Sequence, residues 1–196
     1  MNTVYLTRHG ESIYNTEERI GGNSGLSDYG LTYSKNLFDY MDKNEGVYSI
    51  KIYTSGLTRT KETAQYFPND NKISLDILNE INAGNFEDFT YDEIKEKFKV
   101  EYNNRKKDKF NYRYPNGESY KDLQDRVLGI MKHIHQDFYD NTTSLIVCHN
   151  AVLRIIYGAL MNIPNNDIPY LNIPLHTLFK FELINNSYKV TLINFE

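Results

Sequence analysis

Val4-Tyr5-Leu6-Thr7-Arg8-His9-Gly10-Glu11-Ser12 joins a short apolar run to a cluster of chemically active side chains. The β-branched and aromatic residues of this run favour a buried strand. Arg8 and His9 follow it directly, and a mostly parallel α/β sheet carries its functional side chains at the carboxyl ends of its strands. The stretch therefore predicts a strand over 3–7 with a candidate anion-binding site at its end.

The rest of the chain alternates between strand-like and helix-like segments. Strand character recurs at 49–53, 72–78, 144–148, 178–183 and 188–193, the last two joined by the turn pair Asn185-Asn186. Helical periodicity is found at 28–41, 57–66, 90–98, 119–138 and 151–161, with helical character extending toward 105–109. Such alternation predicts an α/β fold, a three-layer α/β/α sandwich whose mostly parallel sheet has an antiparallel edge strand.

Length and charge narrow the possible functions. A chain of 196 residues is long enough for one sizeable core, and no linker or repeat divides it, so we expect a single domain over 1–196. The net charge of −4 argues against nucleic acid as a partner. The chain start has no signal-peptide pattern and no apolar run reaches membrane-spanning length. We therefore expect a cytoplasmic protein without a membrane partner.

Several candidate side chains follow predicted strands and would meet if those strands are neighbours. They are Arg8 and His9 after the first strand, Arg59 one helical turn beyond the second, Glu80 after the third, and His149 after the fourth. The planar fork of arginine matches phosphate oxygens, and a neutral imidazole can attack phosphorus and carry it as phosphohistidine. The set predicts phosphoryl transfer without a metal or a cofactor.

Each of these side chains has a role in that prediction. His9 is the nucleophile, and the surrounding cations disfavour its protonation. Arg8, Arg59 and His149 hold the phosphoryl oxygens. Glu80 protonates the leaving alkoxide and later deprotonates the attacking water. Taken singly, Glu80 could instead be a solvated acid or a helix cap, Arg59 a surface cation and His149 a strand terminator.

Longer motifs connect these residues to a known family. The chain resembles the histidine phosphatase (phosphoglycerate-mutase-like) superfamily in Arg8-His9-Gly10-Glu11, Asn15, Thr54-Ser55, Arg59-Thr60, Thr63-Ala64, Glu80 and His149. It resembles more narrowly the bisphosphatase half of 6-phosphofructo-2-kinase/fructose-2,6-bisphosphatase. That resemblance lies in RIGGNSGLS at 19–27, LNEINAG at 78–84, YRYPNGESY at 112–120 and PYLNIPLHT at 169–177. It extends over nearly the whole chain.

The resemblance implies hydrolysis of the 2-phosphate of fructose 2,6-bisphosphate, a phosphorylated sugar, to fructose 6-phosphate and inorganic phosphate. The residues it implies for substrate binding are Asn15 and Gly21 beside the reacting phosphate, and Tyr91, Arg105, Lys109, Tyr120 and Arg154 around the sugar and its 6-phosphate. Independently, Arg105 and Lys109 are four residues apart, so on a helix they share a face and could grip one phosphate. A solvated basic run is the alternative.

Two departures from the family pattern bear on function. Asn150 stands where the bisphosphatases usually carry glutamine, so its shorter side chain puts sugar binding in question. The sequence has no kinase segment, so we expect no synthesis of fructose 2,6-bisphosphate.

Two alternatives stay open: a broader sugar-phosphate or phosphoglycerate phosphatase or mutase of the same superfamily, and a non-catalytic phosphoester-binding protein. His176 is interpreted as structural.

Overall fold

The computed structural model describes residues 3–185 and 187–195 of the chain. Within them, six strands form one sheet: β1 (Thr3–Arg8), β2 (Lys51–Thr54), β3 (Lys72–Ser74), β4 (Ser144–Cys148), β5 (Thr177–Ile184) and β6 (Ser187–Asn194). The same residues form eight α-helices: α1 (Ile13–Thr16), α2 (Asp28–Glu45), α3 (Thr58–Thr63), α4 (Tyr91–Lys97), α5 (Lys99–Lys107), α6 (Tyr120–Val127), α7 (Ile130–Tyr139) and α8 (Asn150–Leu160). In this described part, no helix has both the length and the apolar composition needed to cross a bilayer.

The sheet has the strand order β3-β2-β4-β1-β5-β6. Strands β1 to β4 pair in parallel, whereas β5 runs antiparallel to both β1 and β6. The register sets Arg8 beside Cys148, so the loops after β1 and β4 leave the sheet at the same edge. The predicted α/β class is confirmed, with a mostly parallel sheet and an antiparallel hairpin at one edge.

Helices cover both faces of the sheet. Side chains alternate along a strand, so Val4 and Leu6 of β1 face one layer and Tyr5 faces the other. Val4 and Leu6 pack among buried residues of α6, α7 and α8. Tyr5 packs against buried residues of α2, including Leu37. The chain thus has the three layers that the alternating pattern predicted.

One predicted helix is broken in the structure. The helix predicted over 119–138 is divided into α6 and α7 around Gly129, whose low helix propensity favours a break there. The short strand predicted within 72–78 is β3, which ends at Ser74 and is followed by a 3-10 turn at Asp76–Leu78. The predicted turn after β5 includes Asn186, which lies outside the described residues.

The His9 loop, defined here as residues 9–12, lies directly on the first turn of α2. The Ser27 amide donates to the Glu11 carbonyl over 2.9 Å, and the Ser27 hydroxyl caps α2 by accepting from the Gly30 amide at 3.1 Å. Gly30 leaves no room for a side chain, because an added Cβ would overlap the Glu11 carbonyl oxygen. The start of α2 therefore fixes the backbone beside His9.

We predict that Gly30→Ala lowers the free energy of unfolding by about 1–3 kcal/mol, since the new methyl group must displace the Glu11 backbone. Urea unfolding followed by circular dichroism measures the change. Lys35→Ala is the control on the exposed face of α2, where loss of the ion pair with Asp39 should change the stability by less than about 1 kcal/mol. Equal small changes in both variants would contradict the close packing of the loop on the helix.

Candidate active site

A cavity of about 630 Å³ opens at the carboxyl ends of β1, β2 and β4. Twelve of the thirteen predicted site residues line it: Arg8, His9, Asn15, Gly21, Arg59, Glu80, Tyr91, Arg105, Lys109, Tyr120, Asn150 and Arg154. The remaining residue, His149, is fully buried behind the cavity wall, where its ring contacts the His9 ring and the Arg59 side chain. The fold therefore brings the predicted residues together in one place.

The His9 ring is buried and oriented by a single backbone contact. Its Nδ1 lies 2.7 Å from the Gly10 carbonyl oxygen. A carbonyl can only accept, so Nδ1 carries the proton and Nε2 keeps its lone pair in the neutral ring. Burial lowers the pKa of His9 well below its usual value, and the positive charges of Arg59 and Arg8 lower it further. The ring is held neutral, with the tautomer that a nitrogen nucleophile needs.

Two arginines, Arg8 and Arg59, lie near the His9 ring and are largely removed from water. Arg59 is 4% exposed, and its Nη1 donates to the Gly22 carbonyl over 2.9 Å. Burial lowers the pKa of Arg8 to about 10. Arg8 is therefore still cationic at neutral pH, and so is Arg59, because an arginine keeps its charge there. Their unused donors can bind an anion in this poorly solvated space.

His149 is placed differently from the other predicted residues. Arg59 Nε, which can only donate, lies 3.2 Å from His149 Nδ1, so Nδ1 accepts. The remaining proton of the neutral ring is on Nε2, which donates to Ser55 Oγ over 2.8 Å. Burial, followed by the charge of Arg59, lowers the pKa of His149 well below its usual value. Both ring nitrogens are thus occupied, and His149 orients Arg59.

The Glu80 carboxyl group lines the same cavity from the segment after β3. Its Oε1 accepts from the Ile81 amide at 2.9 Å, and its Oε2 accepts from the Ala151 amide in α8 at 3.4 Å. Burial lowers the pKa values of Arg8 and Arg59, and the negative charge of Glu80 opposes that effect on both. The carboxylate and the two guanidinium groups therefore interact, and Glu80 could exchange a proton with a reacting oxygen.

A second set of cations lines the cavity, and tyrosine hydroxyls hold its two arginines. Arg105 Nε donates to the Tyr114 hydroxyl over 2.7 Å, and its Nη2 donates to the Tyr91 hydroxyl over 2.9 Å. The guanidinium carbon also lies 4.8 Å from the centre of the Tyr91 ring. Stacking and hydrogen bonding fix the plane of this side chain, which favours recognition of a planar or tetrahedral oxyanion.

Lys109 and Arg154 complete this second set. Lys109 Nζ donates to the Pro169 carbonyl at 2.7 Å, and Arg154 Nη1 donates to the Tyr120 hydroxyl at 3.0 Å. Burial lowers the pKa of Lys109 to about 8, and the charges of Arg105 and Arg154 add to that effect. Crowding three cations is unfavourable unless an anion joins them, so this part of the cavity is suited to a phosphate.

Two buried side-chain polar atoms in the described part of the chain have no hydrogen-bond partner: Arg8 Nε and Asn150 Oδ1. Both residues line the cavity. Because buried polar groups are nearly always paired, a donor and an acceptor left open in one cavity indicate a place for a polar ligand. In the same described residues, no group of three or more His, Cys, Asp or Glu side chains is arranged to hold a metal ion.

Sequence reasoning missed two cations of the cavity and one supporting contact. Arg19 and Lys106 also line the cavity, and Lys106 was visible in the basic run that begins at Arg105. His176 Nε2 accepts from the Glu11 amide at 3.0 Å, which holds the His9 loop. Nothing in the sequence pairs His176 with a residue 165 positions away, although its interpretation as structural agrees with this contact.

The fold and the site have the features of one family, and comparison with known proteins identifies it. The chain belongs to the histidine phosphatase superfamily (branch 1), whose family model matches residues 4–196. Among solved structures, Bacillus stearothermophilus YhfR is 28% identical, with a TM-score of 0.83 over 97% of this chain and 95% of that one. An Escherichia coli putative alpha-ribazole-5'-P phosphatase shares the fold, with a TM-score of 0.85 at 18% identity over 98% of this chain and 95% of that chain.

Curated relatives are similar over almost the full chain. Fructose-2,6-bisphosphatase of Saccharomyces cerevisiae is 40% identical over 190 residues, which are 97% of this chain and 41% of that protein. 6-phosphofructo-2-kinase/fructose-2,6-bisphosphatase 1 of Homo sapiens is 38% identical over 191 residues, 97% of this chain and 39% of that protein. The chain spans about two fifths of the length of these relatives.

We predict that Arg59→Gln raises the pKa of His9. A nearby positive charge destabilises the imidazolium form, so its removal lets the ring bind a proton at higher pH, closer to the ordinary value of about 6.5. Titration of the His9 ring by NMR measures the midpoint in the free protein, independently of turnover. Arg19→Gln is the matched control. It removes an equal charge from the cavity wall, but the charge of Arg19 is already paired with that of Glu17. Equal midpoints in the two variants would refute the electrostatic effect of Arg59.

Proposed function

We propose that this chain hydrolyses the 2-phosphate of fructose 2,6-bisphosphate to fructose 6-phosphate and inorganic phosphate, without a metal, through a phosphohistidine at His9. The observation that carries the proposal is a neutral, buried His9 in a cavity that also holds two sets of cations. The names of the relatives from Saccharomyces cerevisiae and Homo sapiens support this substrate. We do not extend the proposal to the kinase activity that the name of the Homo sapiens relative also includes.

In the first step, the lone pair of His9 Nε2 forms a bond to phosphorus while the bond from phosphorus to the sugar O2 breaks. Glu80 in its acid form gives its proton to the leaving oxygen. Arg8 and Arg59 hold the phosphoryl oxygens, where fixed donors are most effective because water is excluded. The products are phosphorylated His9 and fructose 6-phosphate, and Glu80 is left as a carboxylate.

In the second step, a water molecule attacks the phosphorus of phosphorylated His9. The Glu80 carboxylate takes the proton from this water, and the bond between phosphorus and His9 Nε2 breaks. Inorganic phosphate leaves, His9 regains its lone pair and Glu80 regains its proton. The hydrogen bond from His9 Nδ1 to the Gly10 carbonyl persists throughout, so the ring needs no rotation or change of tautomer.

The second set of cations gives the proposal its preference for a bisphosphate. Burial lowers the pKa of Lys109, and the positive charges of Arg105 and Arg154 lower it further. Binding of a 6-phosphate would relieve this repulsion and pair three donors with one dianion. Burial lowers the pKa of Arg8, and the charge of Arg154 contributes to that effect, so the two sets of cations interact. A sugar with phosphates at both ends would engage both sets.

Asn150 favours a second candidate function, a phosphatase acting on other sugar phosphates. Its Oδ1 has no hydrogen-bond partner within the protein and the residue lines the cavity, so a small rotation of the side chain would let this oxygen accept from a hydroxyl group of a ligand. The side chain is one methylene shorter than the glutamine of the bisphosphatases, so the hydroxyl it reaches would differ in position. Values of kcat/KM measured side by side for fructose 2,6-bisphosphate, other sugar phosphates and phosphoglycerates distinguish the two candidates.

We predict that His9→Gln lowers phosphate release from fructose 2,6-bisphosphate by about 10³-fold or more and abolishes acid-labile labelling of the protein by its 2-phosphate. Phosphate release and phosphoprotein are measured in the same quenched samples. His135→Gln, an exposed position on α7, should behave as the unsubstituted protein does. Turnover that survives in His9→Gln would exclude the phosphohistidine route, and ligand binding without phosphate release by the unsubstituted protein would favour a binding role.

We also predict that Arg105→Gln raises KM for fructose 2,6-bisphosphate roughly 10- to 100-fold, as expected for loss of a charged hydrogen bond to the 6-phosphate. The KM for fructose 2-phosphate, which lacks that group, should change far less. Lys107→Gln is the control, since it removes one charge from the same helix at an exposed position outside the cavity lining. Equal effects on the two substrates would remove the proposed 6-phosphate site.

A further inference from the structure

Arg126 and Glu118 form an ion pair beside the site that the proposed mechanism does not use. Arg126 lies in the last turn of α6, and Glu118 lies just before that helix. The pair is bidentate, with Arg126 Nε donating to Glu118 Oε1 at 2.7 Å and Nη2 donating to Oε2 at 2.9 Å. The two side chains are only 24% and 21% exposed. Such a pair is well ordered, unlike a single exposed ion pair.

Both partners also bind the backbone around Glu80. Arg126 Nη1 donates to the Ile77 carbonyl at 2.8 Å, and its Nη2 donates to the Glu80 carbonyl at 3.0 Å. The Asn82 amide donates to Glu118 Oε2 at 2.9 Å, and the Glu118 amide donates to the Asn82 carbonyl at 2.8 Å. The pair thus fixes the backbone at Glu80 itself and on both sides of it.

Other hydrogen bonds also hold the ends of this segment, since Asn79 Oδ1 accepts from the Gly56 amide at 2.8 Å and Glu87 Oε1 accepts from the Ala83 amide at 2.6 Å, but it is Arg126 that binds the Glu80 carbonyl. Residues 79–83 lie between two 3-10 turns and belong to no helix or strand, so no backbone ladder sets their positions. The carboxyl group of Glu80 has two backbone contacts of its own, one of them long at 3.4 Å. A carbonyl held by Arg126 is therefore a main determinant of where the Glu80 side chain points.

The chemistry of the contacts requires a guanidinium group. One side chain donates to two backbone carbonyls and to both oxygens of Glu118, which only a planar fork can do. Burial raises the pKa of Glu118, but hydrogen bonds from Arg126 and the Asn82 amide outweigh it and lower the pKa overall. Glu118 is therefore ionised at neutral pH. Lysine at position 126 would keep the charge and lose most of the contacts.

We propose that Arg126 and Glu118 are positioning residues that hold Glu80 where it can exchange a proton with the leaving oxygen and with water. This inference rests on the proposed acid–base function of Glu80. Neither residue is among the described residues that line the cavity, so the contact that joins them to the reacting groups is the one with the Glu80 backbone, and Arg126→Lys keeps the charge that Arg126 exerts on His149. Their loss should therefore reproduce, in part, the loss of Glu80 itself.

The test compares two substrates that differ in their need for an acid. The alkoxide of fructose 2,6-bisphosphate must be protonated as it leaves, whereas the phenolate of 4-nitrophenyl phosphate leaves without a proton. Rapid-quench measurement of His9 phosphorylation gives the rate of the first step for each substrate. We expect Glu80→Gln to slow phosphorylation by the sugar ester about 10²- to 10³-fold and phosphorylation by the aryl ester far less.

Arg126→Gln and Arg126→Lys should show the same selective pattern, slowing phosphorylation by the sugar ester about 10- to 100-fold with little change in its KM. In the Glu80→Gln background, Arg126→Gln should have no further effect, because a residue that acts through Glu80 has nothing left to position. Glu118→Gln should resemble Arg126→Lys. Arg113→Gln is the control. It breaks a more exposed ion pair, between Arg113 and Asp122, at the N-terminal end of the same helix.

The possible outcomes separate the two proposals. If the unsubstituted protein releases no phosphate from the sugar ester, the proposed function is wrong. If it does, equal slowing of both substrates by Arg126→Lys, or additive slowing in the double variant, overturns the positioning role and leaves a structural one. Circular dichroism and thermal unfolding verify the fold of each variant. Should Arg126→Gln not fold, Arg126→Lys and Glu118→Gln decide the question with the same two substrates.

Discussion

The hydrogen bond from His9 Nδ1 to the Gly10 carbonyl is the contact around which the site is arranged. It selects the tautomer, and burial beside the Arg8 and Arg59 guanidinium groups keeps the ring neutral. A histidine in water would be partly protonated near pH 6.5 and would present either nitrogen. In this protein both the protonation state and the tautomer of His9 are set without a ligand, so no separate base is needed to free the Nε2 lone pair.

The same arrangement places cations where they are poorly solvated. Burial lowers the pKa of Arg8 to about 10 and that of Lys109 to about 8, because a charged group is poorly solvated in the cavity wall. The Arg8 Nε donor is also unpaired. A dianionic phosphate would offset both penalties at once. Poorly solvated cations and an unpaired donor in one cavity are therefore features suited to a charged ligand.

The sequence predicted those parts of the site that follow directly from strand ends. A residue such as Arg8 or His149 that ends a parallel strand must lie at the functional edge, whatever the order of the strands. The strand order itself depends on packing between distant segments, so it had no local signal. For the same reason the sequence could not indicate that His149 lies against Arg59 and Ser55, with both nitrogens occupied. The break at Gly129 did have a local signal, but the apolar periodicity on either side of it favoured one long helix.

What the sequence could not supply is the set of long-range contacts that fix the loops beyond the strand ends. His176 accepts from the Glu11 amide and holds the His9 loop. Glu87 accepts from the Gly22 amide, and the Gly22 carbonyl in turn accepts from Arg59. The contact between Arg126 and the Glu80 carbonyl is of the same kind. In each case a side chain from elsewhere in the chain binds backbone that no helix or strand holds. The sheet brings the loops to one edge, and these contacts give each loop its final position.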